Sequence, residues 1–215
     1  MNKEHFYDKL LNIKTEISSV NNPNPNHYHP YEPTPYLALE DLFKQYEVKS
    51  SDKIVDFGCG KGRVNFYINY FYKASVVGVE MVGDLYQSAQ NNIQSYTKKH
   101  KFPKAEIQFH CSRAEEYPID YSSSHFYFFN PFSIQIFMKI VNNILLSYEQ
   151  APRQMELLLY YPSKDYIDFI DRQSPFELKE EIILEAWYPK NPNERFLIYR
   201  FGENHEDHSP VRFFG

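Results

Sequence analysis

Hydrophobic residues occur in short continuous runs along this chain, and longer stretches with interspersed polar residues separate the runs. Four such runs, each mostly apolar, are Lys53–Phe57, Ser75–Met81, His125–Phe129 and Met155–Tyr161, and a fifth strand-like segment, Glu106–Cys111, alternates polar and apolar residues. Apolar runs of this length, bounded by polar, Gly or Pro residues, are typical of buried strands. The pattern therefore predicts strands that are buried within a sheet.

Segments with a helical period separate the predicted strands. After Gly62, from Asp84 to His100 and after Ser133, apolar residues recur at helical spacing. A last pair of strands, Ile182–Tyr188 and Arg195–Phe201, is joined by a short connection rich in Pro and Asn. The chain is therefore predicted to be an α/β protein, with a doubly wound, mostly parallel seven-stranded sheet and a terminal antiparallel hairpin.

An N-terminal helical extension precedes this alternating pattern. Helical spacing predicts a first helix over residues 4–20, and a second helix begins at Pro35 with Thr34 as its capping residue. Residues 21–35 contain five prolines and no apolar period, which predicts a loop. We divide the chain into the extension (1–49), a core domain (50–201) and a loosely held C-terminal tail (202–215).

The composition is compatible with one well-packed domain, and the net charge argues against one kind of binding to nucleic acid. Hydrophobic residues make up 42% of the 215-residue chain, which is enough for a full core. The net charge of -5 argues against non-specific electrostatic binding of nucleic acid by the whole surface. A local basic cluster either complements a helix dipole or contacts phosphate, and it comprises Lys98, Lys99, His100, Lys101 and Lys104.

Cysteine usage and the N-terminus favour a cytoplasmic protein without a membrane span. The two cysteines, Cys59 and Cys111, lack the spacing of metal ligands and suit free thiols in a reducing compartment. The sequence shows no signal-peptide pattern and no apolar run of membrane length. We therefore expect a cytoplasmic protein with no metal site.

Three closely spaced glycines follow the first predicted strand. Gly58, Gly60 and Gly62 occupy alternate positions directly before a helix. Glycine adopts positive φ and has no Cβ, so the backbone can turn tightly and approach a ligand, which the N–H groups of the next helix then face. Glu80 ends the following strand, where nucleotide-binding βαβ units place an acidic residue that accepts hydrogen bonds from ribose hydroxyls.

Two families use this layout, and the third position of the glycine motif separates them. A dinucleotide-binding motif requires Gly or Ala where this chain has Arg63, which argues against a nicotinamide-dependent oxidoreductase. The sequence from Asp56 to Gly62, with Glu80 downstream, instead resembles motifs I and II of the class I S-adenosylmethionine-dependent methyltransferases. The resemblance covers about Ser50 to Phe201.

The resemblance implies S-adenosylmethionine as the cofactor and assigns residues to its binding. After the third predicted strand, family members usually carry an acidic residue followed by Ala, and here Arg113 stands in the acidic position before Ala114. Backbone carbonyls or Glu115 would then hold the adenine amino group. The implied cofactor-binding residues are Asp56, Gly58, Cys59, Gly60, Gly62, Glu80, Met81, Arg113 and Ala114.

A second motif follows the fourth predicted strand. Members that methylate amino nitrogens carry Asn or Asp there, then Pro-Pro and an aromatic residue, whereas this chain reads Asn130-Pro131-Phe132-Ser133. The resemblance implies that Asn130 accepts hydrogen bonds from a substrate amino group, and that Pro131 and Phe132 complete the catalytic motif without the second proline. Alternatively, Asn130 and Ser133 cap the following helix.

The proline-rich loop carries a further candidate feature. Glu32-Pro33-Thr34-Pro35 resembles a Pro-Thr segment that covers the cofactor in some adenine-N6 and related enzymes, although an ordinary linker explains it equally well. His27 and His29 are candidate bases or metal ligands, and exposed polar residues are the alternative. If a proton must leave the acceptor, His29 or Tyr31 is the candidate recipient.

The sequence thus predicts a methyltransferase that transfers a methyl group from S-adenosylmethionine to an amino nitrogen. The sequence leaves open whether the methyl acceptor is an RNA or DNA base, a protein side chain or a small molecule. It also leaves the oligomeric state open. The alternative is a protein that binds S-adenosylmethionine without transferring the methyl group, which the missing second proline motivates.

Overall fold

The computed structural model describes residues 2–17, 27–100 and 106–202, and its strands form one mixed sheet. The strand order is β3-β2-β1-β4-β5-β7-β6, with β7 antiparallel to both of its neighbours and the remaining pairs parallel. The described strands are β1 (Lys53–Phe57), β2 (Ser75–Glu80), β3 (Ile107–Cys111), β4 (His125–Phe128), β5 (Met155–Tyr160), β6 (Glu177–Ile183) and β7 (Arg195–Phe201).

Helices cover both faces of the sheet, and a separate hydrophobic core lies under each layer. One core contains side chains from the first four described helices, and the other contains side chains from the last two. The helices are α1 (Lys3–Leu11), α2 (Tyr36–Gln45), α3 (Arg63–Tyr72), α4 (Gly83–Lys99), α5 (Ile134–Gln150) and α6 (Lys164–Gln173). The predicted doubly wound α/β fold with a terminal antiparallel hairpin is confirmed.

The strand order reverses between β1 and β4, which pair with each other in parallel. In an open α/β sheet, connections leave the two strands at such a point in opposite directions and open a crevice at their carboxyl ends. The glycine-rich loop after β1 and the Asn130 loop after β4 both border this crevice. The fold itself therefore brings the two sequence motifs together.

Several predicted boundaries were wrong. The strand β6 spans Glu177–Ile183 rather than Ile182–Tyr188, because an edge strand with exposed polar side chains lacks the apolar run on which the prediction relied. The first helix ends at Leu11, where Asn12 adopts the left-handed conformation, and residues 18–20 lie outside the described ranges. Thr34 does not cap α2, since Pro35 takes the N-cap position and the Thr34 hydroxyl bonds the Tyr127 hydroxyl.

The buried guanidinium of Arg63, at the start of α3, fastens the N-terminal extension to the sheet. Its Nε donates to Thr15 Oγ1 at 2.8 Å and its Nη1 donates to the Thr34 carbonyl at 3.1 Å. Nη1 also forms an ion pair with Glu4, and the guanidinium carbon lies 4.4 Å from the centre of the Tyr36 ring. Arg63 therefore holds two separate parts of the extension, residues 2–17 and the segment around Thr34.

A buried carboxylate completes this network. Asp8 accepts hydrogen bonds from the Thr15 N–H, the Thr15 hydroxyl and the Tyr36 hydroxyl, each at 2.7 Å. Buried polar groups cost free energy unless they are paired, and here the donors and acceptors satisfy one another. The extension is thus bound to the core by a specific polar network in addition to apolar packing.

The basic cluster after α4 also contacts the extension. Lys99 Nζ donates to the carbonyls of Lys9 and Leu10, both at 3.0 Å, and His100 Nε2 lies 3.0 Å from the Leu10 carbonyl. Lys99 thus places a cation at the C-terminal end of α1, where the helix dipole favours it. Lys101 and Lys104 lie outside the described residues.

Among the described helices, none is both long and apolar enough to cross a membrane.

Arg63→Ala is expected to lower the free energy of unfolding by about 3 kcal/mol, because it leaves Glu4, Thr15 and Thr34 without their shared donor. Urea unfolding measures the change. Arg172→Ala is the matched control, since the Arg172 side chain is 75% exposed and pairs with Asp168 on the helix surface. The control is expected to cost less than about 1 kcal/mol. Equal losses in the two variants would contradict the role given to Arg63.

Candidate active site

The glycine-rich loop after β1 has the backbone conformation that its sequence predicts. Gly58, Gly60 and Gly62 have φ angles of +78°, +55° and +85°. The N–H groups of Gly58 and Cys59 both donate to the Val79 carbonyl at the end of β2, at 2.9 and 3.2 Å. Residues with a Cβ rarely adopt these angles, so the loop depends on glycine for its shape.

Tyr31 from the proline-rich segment packs directly on this loop. A Cβ on Gly60 would lie 2.1 Å from Tyr31 Cε2, so only glycine leaves room for the ring. The Tyr31 hydroxyl donates to the Thr15 carbonyl at 2.9 Å. Residues 27–35 of the proline-rich segment therefore pack against the glycine-rich loop, and we call them the N-terminal strap.

Glu80 lies at the end of β2 and is buried beside the glycine-rich loop. Its Oε2 accepts from the Gly60 N–H at 3.0 Å and its Oε1 accepts from the Val82 N–H at 2.8 Å. Burial raises the pKa of Glu80, and these backbone hydrogen bonds oppose the rise. A carboxylate has about four lone-pair positions, so each oxygen can accept a further hydrogen bond from a ligand hydroxyl.

The Asn130 loop after β4 forms the opposite wall. Asn130 adopts φ +41°, and its Oδ1 is buried without a hydrogen-bond partner in the described part of the chain. Buried polar atoms are nearly always paired, so an orphaned acceptor at the carboxyl end of a strand indicates a place for a donor from a ligand. Positive φ at a residue other than glycine is often found at functional sites.

The N-terminal strap is fastened to the Asn130 loop. Tyr28 and Phe132 form an antiparallel bridge, and the His29 N–H donates to the Pro131 carbonyl at 2.9 Å. His29 Nδ1 lies 2.6 Å from the Asn130 carbonyl oxygen. Because a carbonyl only accepts, Nδ1 carries the proton of the neutral ring and Nε2 is left as an acceptor.

Ser133 holds the N-cap position of α5 without capping it by its side chain. Its hydroxyl lies 2.9 Å from His27 Nδ1, and its N–H donates to the His27 carbonyl at 2.8 Å. The side-chain cap proposed as an alternative function for Asn130 and Ser133 is therefore absent from this helix. Tyr166 fixes the loop from below, with its hydroxyl between the N–H and the carbonyl of Phe132.

These walls enclose a cavity of about 370 Å³, within the size range of small-molecule sites. Seven of the residues predicted from sequence line it: Gly58, Glu80, Met81, Ala114, Asn130, Pro131 and Phe132. Asp56 and Cys59 instead line an adjoining cavity of about 20 Å³. Tyr31 covers Gly60, and a Cβ on Gly62 would meet the Phe109 ring at 2.4 Å.

The turn after β3 differs from the predicted arrangement in its side chains. The Arg113 side chain is 61% exposed and pairs with Glu116, and it does not line the cavity. The Glu115 carboxylate accepts from the Tyr28 hydroxyl at 2.7 Å. The buried Ser112 hydroxyl lines the cavity and has no partner among the described residues.

The sequence analysis did not identify several residues of the cavity. Phe129 and Tyr161 follow β4 and β5 directly, so the rule that ligands bind at the carboxyl ends of strands could have found them. Tyr28, Val82 and Leu85 come from loops and a helix and carry no comparable sequence signal. Within the described ranges, no group of three or more His, Cys, Asp or Glu side chains is placed to hold a metal ion.

The chain belongs to a methyltransferase family: the family profile described as "Methyltransferase domain" matches residues 36–169, which is more than half of it. This membership confirms the predicted enzyme class. The match begins at the first residue of α2, so residues 1–35 precede it. No sequence among curated proteins gives a significant match.

Solved structures with low sequence identity share the fold. An RNA methyltransferase from Salinibacter ruber, in complex with S-adenosyl-L-homocysteine, is 16% identical with a TM-score of 0.54, over 85% of this chain and 99% of that one. A SAM-dependent methyltransferase from Thiobacillus denitrificans, also with S-adenosyl-L-homocysteine, is 11% identical with a TM-score of 0.54, over 84% and 96%. M. capricolum TrmK, with the same product bound, is 12% identical with a TM-score of 0.50, over 79% and 68%.

Gly60→Ala is expected to lower the free energy of unfolding by at least about 1–2 kcal/mol, because the new Cβ strains a left-handed residue and collides with Tyr31. Gly83→Ala is the control, since nothing lies within 4 Å of a Cβ there and Gly83 begins α4. Urea unfolding of both variants measures the difference. A Gly60 variant as stable as the Gly83 variant would contradict the packing described.

Asp56→Asn is expected to stabilise the protein more at about pH 8 than at about pH 5. Burial, and then the charge of Glu80, raise the pKa of Asp56 well above its ordinary value. The contribution of a carboxyl with a raised folded pKa is full below its unfolded pKa and is lost as the pH rises toward the folded value. The asparagine variant lacks this titration, so its advantage over the wild type grows with pH.

Asp120→Asn is the control for the pH series. Hydrogen bonds from Ser122, and then Lys53, lower the pKa of Asp120, so this carboxyl is ionised in both states above about pH 5. Its effect on unfolding is therefore expected to stay constant over the series. A constant difference between Asp56→Asn and wild type would show that Asp56 ionises normally in the fold.

Proposed function

We propose that this protein transfers a methyl group from S-adenosylmethionine to an amino nitrogen, with Asn130 orienting the acceptor. The observation that carries this proposal is the buried, unpartnered Oδ1 of Asn130 in the cavity that Glu80 also lines. One wall thus offers acceptors for hydroxyl groups and the other offers an acceptor for an amino group. The similar methyltransferases from Salinibacter ruber and Thiobacillus denitrificans both contain S-adenosyl-L-homocysteine, which supports the choice of cofactor.

The residues of the cavity fit this cofactor. Glu80 has acceptor positions left for two ribose hydroxyls, and Gly58 of the glycine-rich loop lines the same cavity. Met81, Val82 and Ala114 offer apolar surface for the adenine ring, and the orphaned Ser112 hydroxyl offers a polar contact in place of the missing acidic residue. We assign Asp56, Cys59 and Gly62 to supporting the loop, and Arg113 to the rim of the site.

When bound, S-adenosylmethionine supplies an electrophilic methyl group on a sulfonium sulfur. The protein then has to hold an amino group in line with that methyl group, and alignment alone contributes about 7–11 kcal/mol to such reactions. Asn130 Oδ1 accepts one N–H of the amine, which turns the nitrogen lone pair away from Oδ1. The neutral Nε2 of His29 takes the proton that the methylated nitrogen releases.

The acceptor in this proposal is a compound that carries an amino nitrogen. The similar protein from Salinibacter ruber is an RNA methyltransferase, which favours a base in RNA over other acceptors. The net charge of -5 means that nucleic acid would bind through a local surface.

Asn130→Ala is expected to reduce methyl transfer about 100-fold while leaving the binding of S-adenosylhomocysteine unchanged, because it removes alignment and spares the cofactor contacts. Transfer is measured with labelled methyl donor on RNA, DNA, protein and small-molecule fractions, and binding is measured by calorimetry. Asn130→Asp retains an oxygen acceptor and is expected to keep more activity than Asn130→Ala. Asn91→Ala, an exposed change on α4, is the control. Full transfer by Asn130→Ala would contradict the proposal and leave Asn130 a structural residue.

A further inference from the structure

A second cavity, of about 440 Å³, adjoins the one at Glu80 and Asn130. The two cavities share Glu32, Phe129 and Tyr161 as lining residues, so they meet where these side chains lie. The second cavity is bounded on its far side by the loop between β6 and β7, which contributes Trp187 and Lys190. We call it the Trp187 chamber. The chamber therefore lies beside the cavity that Asn130 lines.

Four aromatic residues line the Trp187 chamber. Phe129, Tyr160, Tyr161 and Trp187 all line it, and the centres of the Phe129 and Tyr160 rings are 4.5 Å apart. Tyr160 is buried under the others, whereas Phe129, Tyr161 and Trp187 are half-buried and present surface to the chamber. Exposed aromatic faces around a cleft are suited to stacking with a planar group.

Hydrogen bonds hold this wall in place. The Tyr161 N–H donates to the Arg195 carbonyl at 3.1 Å, and its hydroxyl accepts from Asn191 Nδ2 at 2.8 Å. The Trp187 N–H donates to the Leu184 carbonyl at 2.9 Å, so the loop that carries the indole is an ordered turn. The chamber is therefore a preformed feature of the fold.

The backbone at Tyr161 is strained, as it is at Asn130. Tyr161 has φ +51°, an angle that bulky residues adopt only under constraint. Tyr161 directly follows β5, and Asn130 is the second residue after β4. Both residues line the first cavity. Among the described residues, the other non-glycine residues with positive φ are Asn12 and Lys73, which end helices. Among the described residues, the two non-glycine residues with positive φ that do not end a helix therefore both line these cavities. Strained residues of this kind cluster at functional sites.

Two oxygen acceptors belong to residues that line these cavities. One belongs to Asn130, which lines the first cavity and whose Oδ1 is buried without a partner among the described residues, and the other is the solvent-exposed carboxylate of Glu32, which lines both cavities. A neutral aromatic amine presents two N–H donors, one for each. A lysine ammonium would instead be held in its charged form by Glu32 and could not attack a methyl group before losing a proton.

We propose that the Trp187 chamber receives a nucleobase with an exocyclic amino group, stacked on its aromatic wall so that the amino group reaches Asn130 and Glu32. This inference rests on the proposed function and narrows its acceptor to bases with an exocyclic amino group, which are adenine, cytosine and guanine. The base comes either from a free nucleotide or from a single-stranded segment of nucleic acid. Lys190, an exposed residue that lines the chamber, offers a cation for its phosphate.

Trp187 is the single tryptophan of the chain, so its fluorescence reports directly on this chamber. The full chain is first saturated with S-adenosylhomocysteine, whose binding is followed separately by thermal unfolding. It is then titrated with AMP, CMP, UMP, single-stranded oligonucleotides and a lysine-containing peptide. We expect AMP or CMP to quench Trp187 emission, and UMP to bind at least about tenfold more weakly, because it leaves the buried Asn130 Oδ1 unpaired.

Variants separate stacking from folding. Trp187→Ala is expected to weaken binding of the radiolabelled nucleotide about tenfold or more, and Trp187→Phe to restore most of it, because stacking needs an aromatic face. Tyr121→Ala, at an exposed aromatic residue away from both cavities, is the control. An unchanged thermal shift with S-adenosylhomocysteine shows that each variant is folded.

The outcomes distinguish this proposal from the proposed function. Tighter binding of oligonucleotides than of mononucleotides identifies a nucleic acid as the source of the base, and equal binding identifies a free nucleotide; both support the chamber. Three results would overturn the chamber proposal, provided that S-adenosylhomocysteine binds: no nucleotide quenches the fluorescence, UMP binds as well as AMP and CMP, or only the peptide quenches. None of these results would affect the proposed methyltransferase reaction. Quenching by AMP or CMP without S-adenosylhomocysteine binding overturns the proposed function alone, and binding of neither overturns both.

Discussion

The buried guanidinium of Arg63 joins three parts of the molecule that are distant in sequence. It begins α3, directly after the glycine-rich loop, and it bonds Glu4 and Thr15 on one side and the Thr34 carbonyl on the other. A cation at a helix N-terminus opposes the helix dipole, so these acceptors compensate an otherwise unfavourable charge. The same contacts draw the N-terminal strap across the glycine-rich loop, where Tyr31 packs on Gly60.

The candidate site follows from this constraint together with the topology of the sheet. The switch between β1 and β4 provides one half, with Glu80 and Asn130 on opposite walls, and the N-terminal strap provides the other. Tyr28 bridges to Phe132, and His29 contacts the backbone of the Asn130 loop. The strap is thus part of the wall of the cavity, and the Trp187 chamber extends that cavity toward the β6–β7 loop.

Local patterns in the sequence were sufficient to predict the sheet and the glycine-rich loop. Apolar runs, helical spacing and alternate glycines depend on neighbouring residues, and the structure confirms the fold that they predict. The edge strand β6 was misplaced because its exposed face carries polar side chains. In the sequence, Arg63 is recognisable only as a departure from a dinucleotide motif. Its role in holding the N-terminal extension could not be predicted, because its partners lie 29 to 59 residues away in the chain. The bridge between Tyr28 and Phe132 and the position of Trp187 likewise depend on tertiary packing, which periodicity does not report.

Thermal unfolding with and without S-adenosylhomocysteine, on the wild type and on Glu80→Ala, tests the central claim most directly. A ligand at a hundred times its dissociation constant stabilises the native state by about 2.7 kcal/mol. We predict a clear rise in the melting temperature of the wild type and its loss in Glu80→Ala, because Glu80 supplies the buried carboxylate for the ribose. A folded wild-type protein whose melting temperature does not change with ligand would contradict the claim that this cavity binds the cofactor.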